Sequence, residues 1–196
     1  AGAYSFLKAP RYDGEVYEVG PLARMRIAYD RGEPTARGLV DSLLGELRAD
    51  PSVLSSVLGR HAARALECKL VADAMAAWLL ELSPGEPSCG EFTLPESASG
   101  VGLTDAPRGA LGHWIQIENG RIANYQAVVP TTWNCSPRDD DGQPGACEQA
   151  LEGSPVKDER NPFELVRIVR SFDPCLACSV HVVTPKGDEI GAFRAV

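Results

Sequence analysis

The sequence predicts a mixed α+β fold in which a helix hairpin packs with a small antiparallel sheet. Residues 34–49 and 51–82 carry the helical signal, and in the second stretch apolar side chains recur at three- and four-residue intervals. Residues 109–117 and 121–129 are strand-like and are joined across an Asn-Gly dipeptide. Because both turn positions tolerate a positive φ, Asn-Gly between two such runs indicates a tight hairpin.

The elements follow one another in a simple order. Residues 4–24 mix aromatic, basic, Pro and Gly residues and are interpreted as an extended connector. For the long helix, Asp50 is the expected N-cap with Pro51 at the first helical position, and the Ser-Pro-Gly run at 83–85 ends it. Residues 84–100, rich in Pro, Gly, Ser and Glu, are predicted to be a loop.

The last part of the chain is predicted to contain short elements. Residues 134–146 are polar and read as loop, a short helix covers 146–152, and another helix runs from about residue 162 to 172. The tail, residues 173–196, contains a tight cysteine pair followed by a strand-like run. We expect the loops of any metal site to lie where the sheet and this tail meet.

The composition of the chain argues against several classes of function. A chain of 196 residues with 44% hydrophobic and 23% charged residues is that of an ordinary globular domain. Its formal net charge of -8 argues against binding to nucleic acid, where Lys and Arg neutralise phosphates. No apolar run is long enough to span a bilayer, and residues 1–15 lack the apolar core of a signal peptide, so we expect no targeting signal in this chain. We therefore expect any export or membrane association to come through a partner.

The six cysteines are spaced unevenly, which argues against the disulfide framework of a small secreted protein. Cys175 and Cys178 form a C-x-x-C pair, whose two thiols can turn toward one ion. Soft thiolates favour nickel, copper(I), zinc or iron. A zinc site would need a second ligand pair, and a thioredoxin-like motif is expected near the start of its fold. A bare C-x-x-C also occurs in zinc half-sites, in thioredoxin-like redox pairs and by chance.

The longer string DPCLACSVH, residues 173–181, resembles the C-terminal signature of nickel–iron hydrogenase large subunits. Further stretches resemble the same family in the family's order: KAPRYDGEVYEVGPLAR (8–24), GRHAARALE (59–67), APRGALGHW (106–114) and VVPTTWNCSPRD (128–139). The resemblance covers essentially this whole chain but only the last third of a typical member. It implies the C-terminal portion of the nickel–iron hydrogenase large-subunit fold.

The resemblance also implies a site. Cys175 would be a terminal ligand of nickel, and Cys178 would bridge nickel to an iron that carries CO and CN ligands. His181 would bind a Mg or Fe ion near the mature C-terminus. Arg108, after Pro107, would lie over the open face of the metals and be oriented by Asp173. The residues expected to line the diatomic ligands are Val129, Pro130 and Thr131. Arg64 and Glu67 are interpreted as helix-surface or interface charges.

The reaction implied by the resemblance is reversible heterolytic cleavage of H2, with the Cys175 thiolate as the favoured base. Electrons would pass to a separate iron–sulfur small subunit, so the enzyme would be at least a heterodimer. The family needs a second C-x-x-C from the N-terminal part of the large subunit, and this chain has none. We therefore expect the chain alone to be inactive, whether it is a fragment or a split subunit.

The tail and the compartment complete these expectations. Residues 1–181 are interpreted as the C-terminal region of the large subunit, and residues 182–196 as an extension that a maturation endopeptidase removes. The protein is expected to be membrane-associated or periplasmic through its small subunit. The alternative function is a non-catalytic hydrogen sensor, a scaffold or a structural thiolate–metal module of the same fold. The related quinone-reacting subunits of complex I should lack Cys175 and Cys178.

Overall fold

A computed structural model describes residues 4–175 and, as backbone alone, the strands Ser179–Val183 and Glu189–Arg194. Helices come first, an antiparallel sheet follows, and short helices lead to the C-terminal segment. This order confirms the predicted α+β class. None of the helices in the described ranges is long and apolar enough to cross a membrane.

The N-terminal half is helical, with α1 (Pro21–Asp30), α2 (Pro34–Leu47) and α3 (Val57–Glu81). Local sequence explains where these helices begin. Proline occupies the first position of α1 and α2, where its missing N–H costs no hydrogen bond. The Glu33 carboxylate accepts hydrogen bonds from the first N–H groups of α2, and the Ser56 hydroxyl accepts one from Gly59 in α3.

These helices form one of the two apolar cores among the described residues. Its buried side chains are Met25, Ala36, Val40, Leu44, Leu54 and Ala63. They come from all of α1, α2 and α3 and from the turn before α3. The predicted hairpin of α2 and α3 is therefore present, with α1 packed beside it.

The long predicted helix over 51–82 is interrupted. Pro51–Leu54 forms a separate 3₁₀ turn, and Asp50 caps that turn through the N–H of Ser52 at 2.9 Å. The α-helix starts only at Val57. The break brings Gly59 against the Leu54 carbonyl, where an added Cβ would lie 2.1 Å from the oxygen. The interpretation of 51–82 as one helix capped by Asp50 was therefore wrong in its first turn.

The middle of the chain forms an antiparallel sheet in the order β1 (Ala98–Ala106), β2 (Gly109–Glu118) and β3 (Arg121–Val128). Asn119 and Gly120 have φ values of 52° and 67°, as a two-residue hairpin turn with both positions left-handed requires. The predicted hairpin is confirmed. β1 was not predicted, because only Val101 and Leu103 alternate as apolar residues within it and the strand is almost entirely exposed. The predicted loop over 84–100 was therefore wrong in its last three residues, which belong to β1.

The remaining elements are α4 (Pro130–Asn134), α5 (Ala146–Leu151), α6 (Phe163–Ser171) and the antiparallel pair β4 (Ser179–Val183) and β5 (Glu189–Arg194). The two predicted short helices and the predicted strand in the tail are confirmed. A second core lies here and includes Cys147, Ile168 and Phe172.

This topology brings three parts of the chain to one end of the sheet. Arg108 occupies the turn between β1 and β2, and α4 begins directly after β3 ends. β2 and β3 are paired near this end, with Gly112 opposite Val128. The segment after α6 reaches the same place, because Asp173 contacts Arg108 and Cys175 contacts Thr131 of α4.

Candidate metal centre

The thiol of Cys175 meets the hydroxyl of Thr131. Their Sγ and Oγ1 atoms lie 3.2 Å apart, and the Cys175 N–H lies 3.3 Å from the same oxygen and donates to it. Thr131 is placed by the first turn of α4, where the buried Pro130 follows the more exposed Val129. Cys175 itself is exposed. Its sulfur therefore contacts Thr131 on one side and is exposed to solvent on the other.

Arg108 binds Asp173, the residue at which the chain turns toward Cys175. Its Nε donates to the Asp173 carbonyl oxygen at 3.0 Å and lies 3.2 Å from Oδ2, while one terminal nitrogen lies 3.4 Å from Oδ1. Asp173 has a φ of 51°, in the left-handed region that Asp tolerates better than most residues. Asp173 follows Phe172, the C-cap of α6, and donates its N–H to the Arg170 carbonyl at 3.0 Å, so the chain changes direction here.

A second arginine approaches the same carboxylate. The Nε of Arg64 lies 3.7 Å from the Asp173 Oδ2, and a terminal nitrogen of Arg64 donates to the Ser171 carbonyl at 2.8 Å. The Nε atom is buried and makes no hydrogen bond within the described residues. The interpretation of Arg64 as a helix-surface charge was therefore wrong, because its Nε is buried and faces Asp173; its interpretation as an interface charge stays a prediction.

Arg24 holds the turn that carries Arg108. Its guanidinium forms a forked pair with the Glu67 carboxylate, whose hydrogen bonds raise the pKa of Arg24. It also binds the Asp105 carboxylate at 2.7 Å and donates to the carbonyl of Pro107 at 2.8 Å. Glu67 is thus part of a network reaching the site and not a free surface charge.

The backbone of the N-terminal segment lies directly against this turn. A Cβ added to Gly20 would lie 2.6 Å from the Arg108 carbonyl oxygen, and one added to Gly109 would lie 2.7 Å from the Gly20 nitrogen. Both glycines have a strongly positive φ. The buried Asn134 of α4 fixes the adjoining Val19, accepting from its N–H and donating to its carbonyl, both at 2.9 Å.

The described residues contain one of the two thiolates expected to bind metal, Cys175. Among them, no group of three or more His, Cys, Asp or Glu residues lies together. Cys178 and the side chain of His181 lie outside the described residues. An exposed thiol that contacts one hydroxyl fits a thiolate ligand of a nickel–iron group whose other donors come from elsewhere.

Two other cysteines contact each other: Cys135, at the end of α4, and Cys147, in α5. Cys135 and Cys147 are scattered in the sequence, but the loop between them brings Gly145 against the Ser136 backbone. A hydrogen bond from the Cys147 thiol lowers the pKa of Cys135, and the same contact together with burial raises the pKa of Cys147. Neither is disulfide-bonded.

Comparison with known proteins identifies what this chain resembles. Residues 1–181 match the family model described as nickel-dependent hydrogenase. The chain is 45% identical to the uptake hydrogenase large subunit of Bradyrhizobium diazoefficiens, over 98% of this chain and 34% of that protein. It is also 45% identical to the periplasmic [NiFeSe] hydrogenase large subunit of Desulfomicrobium baculatum, over 93% of this chain and 36% of that protein.

Solved structures of hydrogenases are also similar to this chain. The reduced Ni-Fe-Se hydrogenase from Desulfovibrio vulgaris Hildenborough is similar with a TM-score of 0.74 and 44% identity, over 89% of this chain and 37% of that chain. The Ni-Fe-Se hydrogenase of Desulfomicrobium baculatum gives a TM-score of 0.76 and 43% identity, over 89% of this chain and 37% of that chain. The present chain spans about a third of the length of the curated relatives that it matches.

Proposed function

We propose that this chain, which belongs to the nickel-dependent hydrogenase family, forms the C-terminal part of a catalytic large subunit that cleaves H2 reversibly into protons and electrons. One observation carries the proposal. The exposed Cys175 sulfur contacts Thr131 and follows an aspartate that is bound to Arg108. Electrons would pass to an iron–sulfur small subunit.

The metal group would be held by thiolates from two parts of the large subunit. Cys175 would be a terminal nickel ligand and Cys178 a bridging one, and a second C-x-x-C from the N-terminal part would complete the set. When bound, a nickel–iron centre with CO and CN on its iron supplies the two-electron chemistry. Because that second cysteine pair lies outside this sequence, the chain alone is expected to be inactive.

Cys175 and Thr131 are suited to hold a proton. The Thr131 oxygen accepts from the Cys175 N–H, so its own O–H is free to donate to a thiolate at 3.2 Å. If the sulfur takes up the proton, its S–H can donate to the remaining lone pair of that oxygen. The sulfur therefore keeps a hydrogen-bond partner in both protonation states, which favours it as the base.

Arg108 supplies a positive charge beside this sulfur's segment. A guanidinium carries five donors and no acceptor, so Arg108 can bind the Asp173 backbone and carboxylate and still present N–H groups outward. Pro107 precedes it, and Val129, Pro130 and Thr131 would line the CO and CN ligands. The Thr131 hydroxyl can serve either the cyanide nitrogen or the sulfur, but its single proton cannot serve both at once.

We propose further that residues 182–196 are an extension removed by an endopeptidase after the metals are inserted. The family match ends at residue 181, which supports this boundary. In the β4–β5 pair, His181 lies opposite Ala192, so the extension is paired with the segment that would bind Mg or Fe. Relatives include a periplasmic hydrogenase and a quinone-reactive hydrogenase. Binding to a small subunit would bring this chain to the periplasm or to the membrane.

Infrared spectroscopy of the chain purified with its natural partner chains tests the proposal. We expect bands of iron-bound CO and CN, nickel by elemental analysis and hydrogen-dependent dye reduction. Cys175→Ser and Cys178→Ser should each lose nickel and activity, whereas Cys89→Ser, at an exposed loop position, should lose neither. Zinc without CO and CN bands would contradict the proposal and support a structural thiolate–metal module.

A further inference from the structure

One face of α3 carries three charged side chains at helical spacing: Arg60, Arg64 and Glu67. We call these residues the α3 charged face. Each of them holds a different part of the chain. Arg60, for example, forms a forked pair with Glu18 at 2.8 Å and stacks over the Phe172 ring at 3.9 Å. The face therefore fixes Phe172, which directly precedes Asp173.

Arg64 holds the end of α6 at two points. A terminal nitrogen binds the Ser171 carbonyl at 2.8 Å, and Nε faces the Asp173 carboxylate at 3.7 Å. The Nε–H is buried and has no hydrogen-bond partner among the described residues, so the Asp173 carboxylate faces it as an ion-pair partner only. Asp173 thus lies between Arg64 and Arg108, and its carboxylate is opposed by two positive charges.

Glu67 acts on Arg108, the other member of the Arg108–Asp173 pair, through Arg24. The fork of Arg24 on Glu67 leaves its remaining N–H groups for Asp105 and for the Pro107 carbonyl. Pro107 is bonded directly to Arg108. The α3 charged face therefore reaches Asp173 through one residue and Arg108 through another, by two independent chains of contacts.

We infer that the α3 charged face sets the orientation of Arg108 and Asp173, and that Arg64 is a positioning residue of the hydrogen-cleaving site. This inference rests on the proposed function. The Arg108 and Asp173 side chains are 37% and 35% exposed, and an ion pair so accessible to water does not hold one geometry by itself. The left-handed backbone at Asp173 adds strain that neighbouring contacts must offset.

The geometry also explains why residue 64 is an arginine. Its contacts with Ser171 and Asp173 come from two nitrogens of one planar guanidinium, whose third nitrogen lies 3.4 Å from His61 Nδ1. A lysine at this position would carry the same charge on a single nitrogen, so one atom would have to reach both groups that Arg64 contacts with different nitrogens. The conservative substitution therefore separates the charge of residue 64 from its positioning role.

The test compares Arg64→Gln and Arg64→Lys with Lys69→Gln in the holoenzyme, assembled with all its chains. Lys69 is the matched control, because it lies on α3 in an exposed pair with Asp73. The measurements are nickel content, the CO and CN infrared bands, and kcat and KM for H2 with their pH profiles. We expect both Arg64 variants to keep nickel, shift the infrared bands and lose kcat about tenfold, since an ångström of misplacement can cost about 100-fold.

Several results would overturn the inference. One is an Arg64→Gln enzyme that melts at a lower temperature but keeps the natural kcat per nickel, the natural pH profile and unshifted bands. If that variant does not accumulate, the same outcome for Arg64→Lys decides against it. Absent CO and CN bands in the unsubstituted enzyme would instead refute the proposed function, and this inference with it.

Discussion

Gly20 lies where the N-terminal segment crosses the turn carrying Arg108, and we expect Gly20→Ala to move that turn. The φ of Gly20 is 115°, a conformation that L side chains rarely adopt. An added Cβ would lie 2.6 Å from the Arg108 carbonyl oxygen, whereas real Cβ atoms essentially never approach within 3.0 Å. The Arg108 backbone must therefore retreat by at least about 0.4 Å.

The cost follows from two terms. A non-glycine residue in so sparsely populated a region costs about 1–3 kcal/mol. The clash is with a backbone carbonyl, so no side-chain rotation relieves it. Together we expect the free energy of unfolding to fall by about 2–4 kcal/mol, which is large for one substitution. The displaced Arg108 should also lower kcat severalfold, because catalytic geometry tolerates little misplacement.

Thermal denaturation of the holoenzyme and kcat per nickel test this prediction against two other glycines. Gly14 has a φ of 78° but nothing within 4 Å of an added Cβ, so Gly14→Ala should cost only the strain, about 1 kcal/mol. Gly38 lies in α2 with open space around it, and Gly38→Ala should stabilise by about 0.5–1 kcal/mol. A Gly20→Ala enzyme that is as stable as Gly14→Ala and keeps its kcat would contradict the expected clash with the Arg108 carbonyl.

Two further predictions concern titrating groups outside the site. The Cys135 thiol, with its lowered pKa, should react with iodoacetamide faster than the buried Cys147 between about pH 7 and 9. Peptide mass spectrometry measures both rates, and Cys147→Ala should slow Cys135; an unchanged Cys135 rate in that variant would contradict the contact. The N–H of residue 143 and then the guanidinium of Arg11 lower the pKa of Asp139 below its ordinary 3.8. The carboxylate therefore stabilises the fold above that value and ceases to do so as the pH falls through the lowered pKa. The difference in melting temperature between the natural protein and Asp139→Asn should accordingly shrink in acid, with the exposed Asp140→Asn as control; a difference independent of pH would refute it.

Local chemistry explains the elements that were predicted correctly. The helices α2, α5 and α6 and the hairpin between β2 and β3 depend on caps, apolar periodicity and turn residues, all of which lie within a few positions of one another. The comparisons also confirm the family and the C-terminal part of the large-subunit fold expected from the strings that include DPCLACSVH.

The missed elements gave weaker local signals. α1 is only ten residues long, and although Leu22, Met25 and Ala28 recur along one face, its start was included in a predicted connector. β1 is exposed along almost its whole length and is defined by its pairing with β2. Pairing with a distant strand is a tertiary property that the sequence of one strand does not reveal.

The candidate site also contains residues that the sequence predicts and one that it does not. Cys175, Arg108, Asp173 and Thr131 were expected from motifs, and their contacts agree with a common location. The sequence predicts a helix-surface or interface charge at Arg64, because its partner Ser171 lies 107 positions away and contributes a backbone carbonyl. A backbone carbonyl has no residue type, so no sequence pattern could identify it as a partner.

Arginine contacts to carbonyl groups explain how irregular loops form a fixed site. Loop carbonyls have no strand or helix partner, and each needs a donor when it is withdrawn from water. Arg24 binds the carbonyl of Pro107, Arg108 binds that of Asp173, and Arg11 binds those of the loop at 137–143. One guanidinium can satisfy a carboxylate and several carbonyls in a plane, which an ammonium group cannot. Arginine side chains thus take the place of a hydrogen-bonded ladder here, and lysine at the same positions would keep the net charge while releasing the loops.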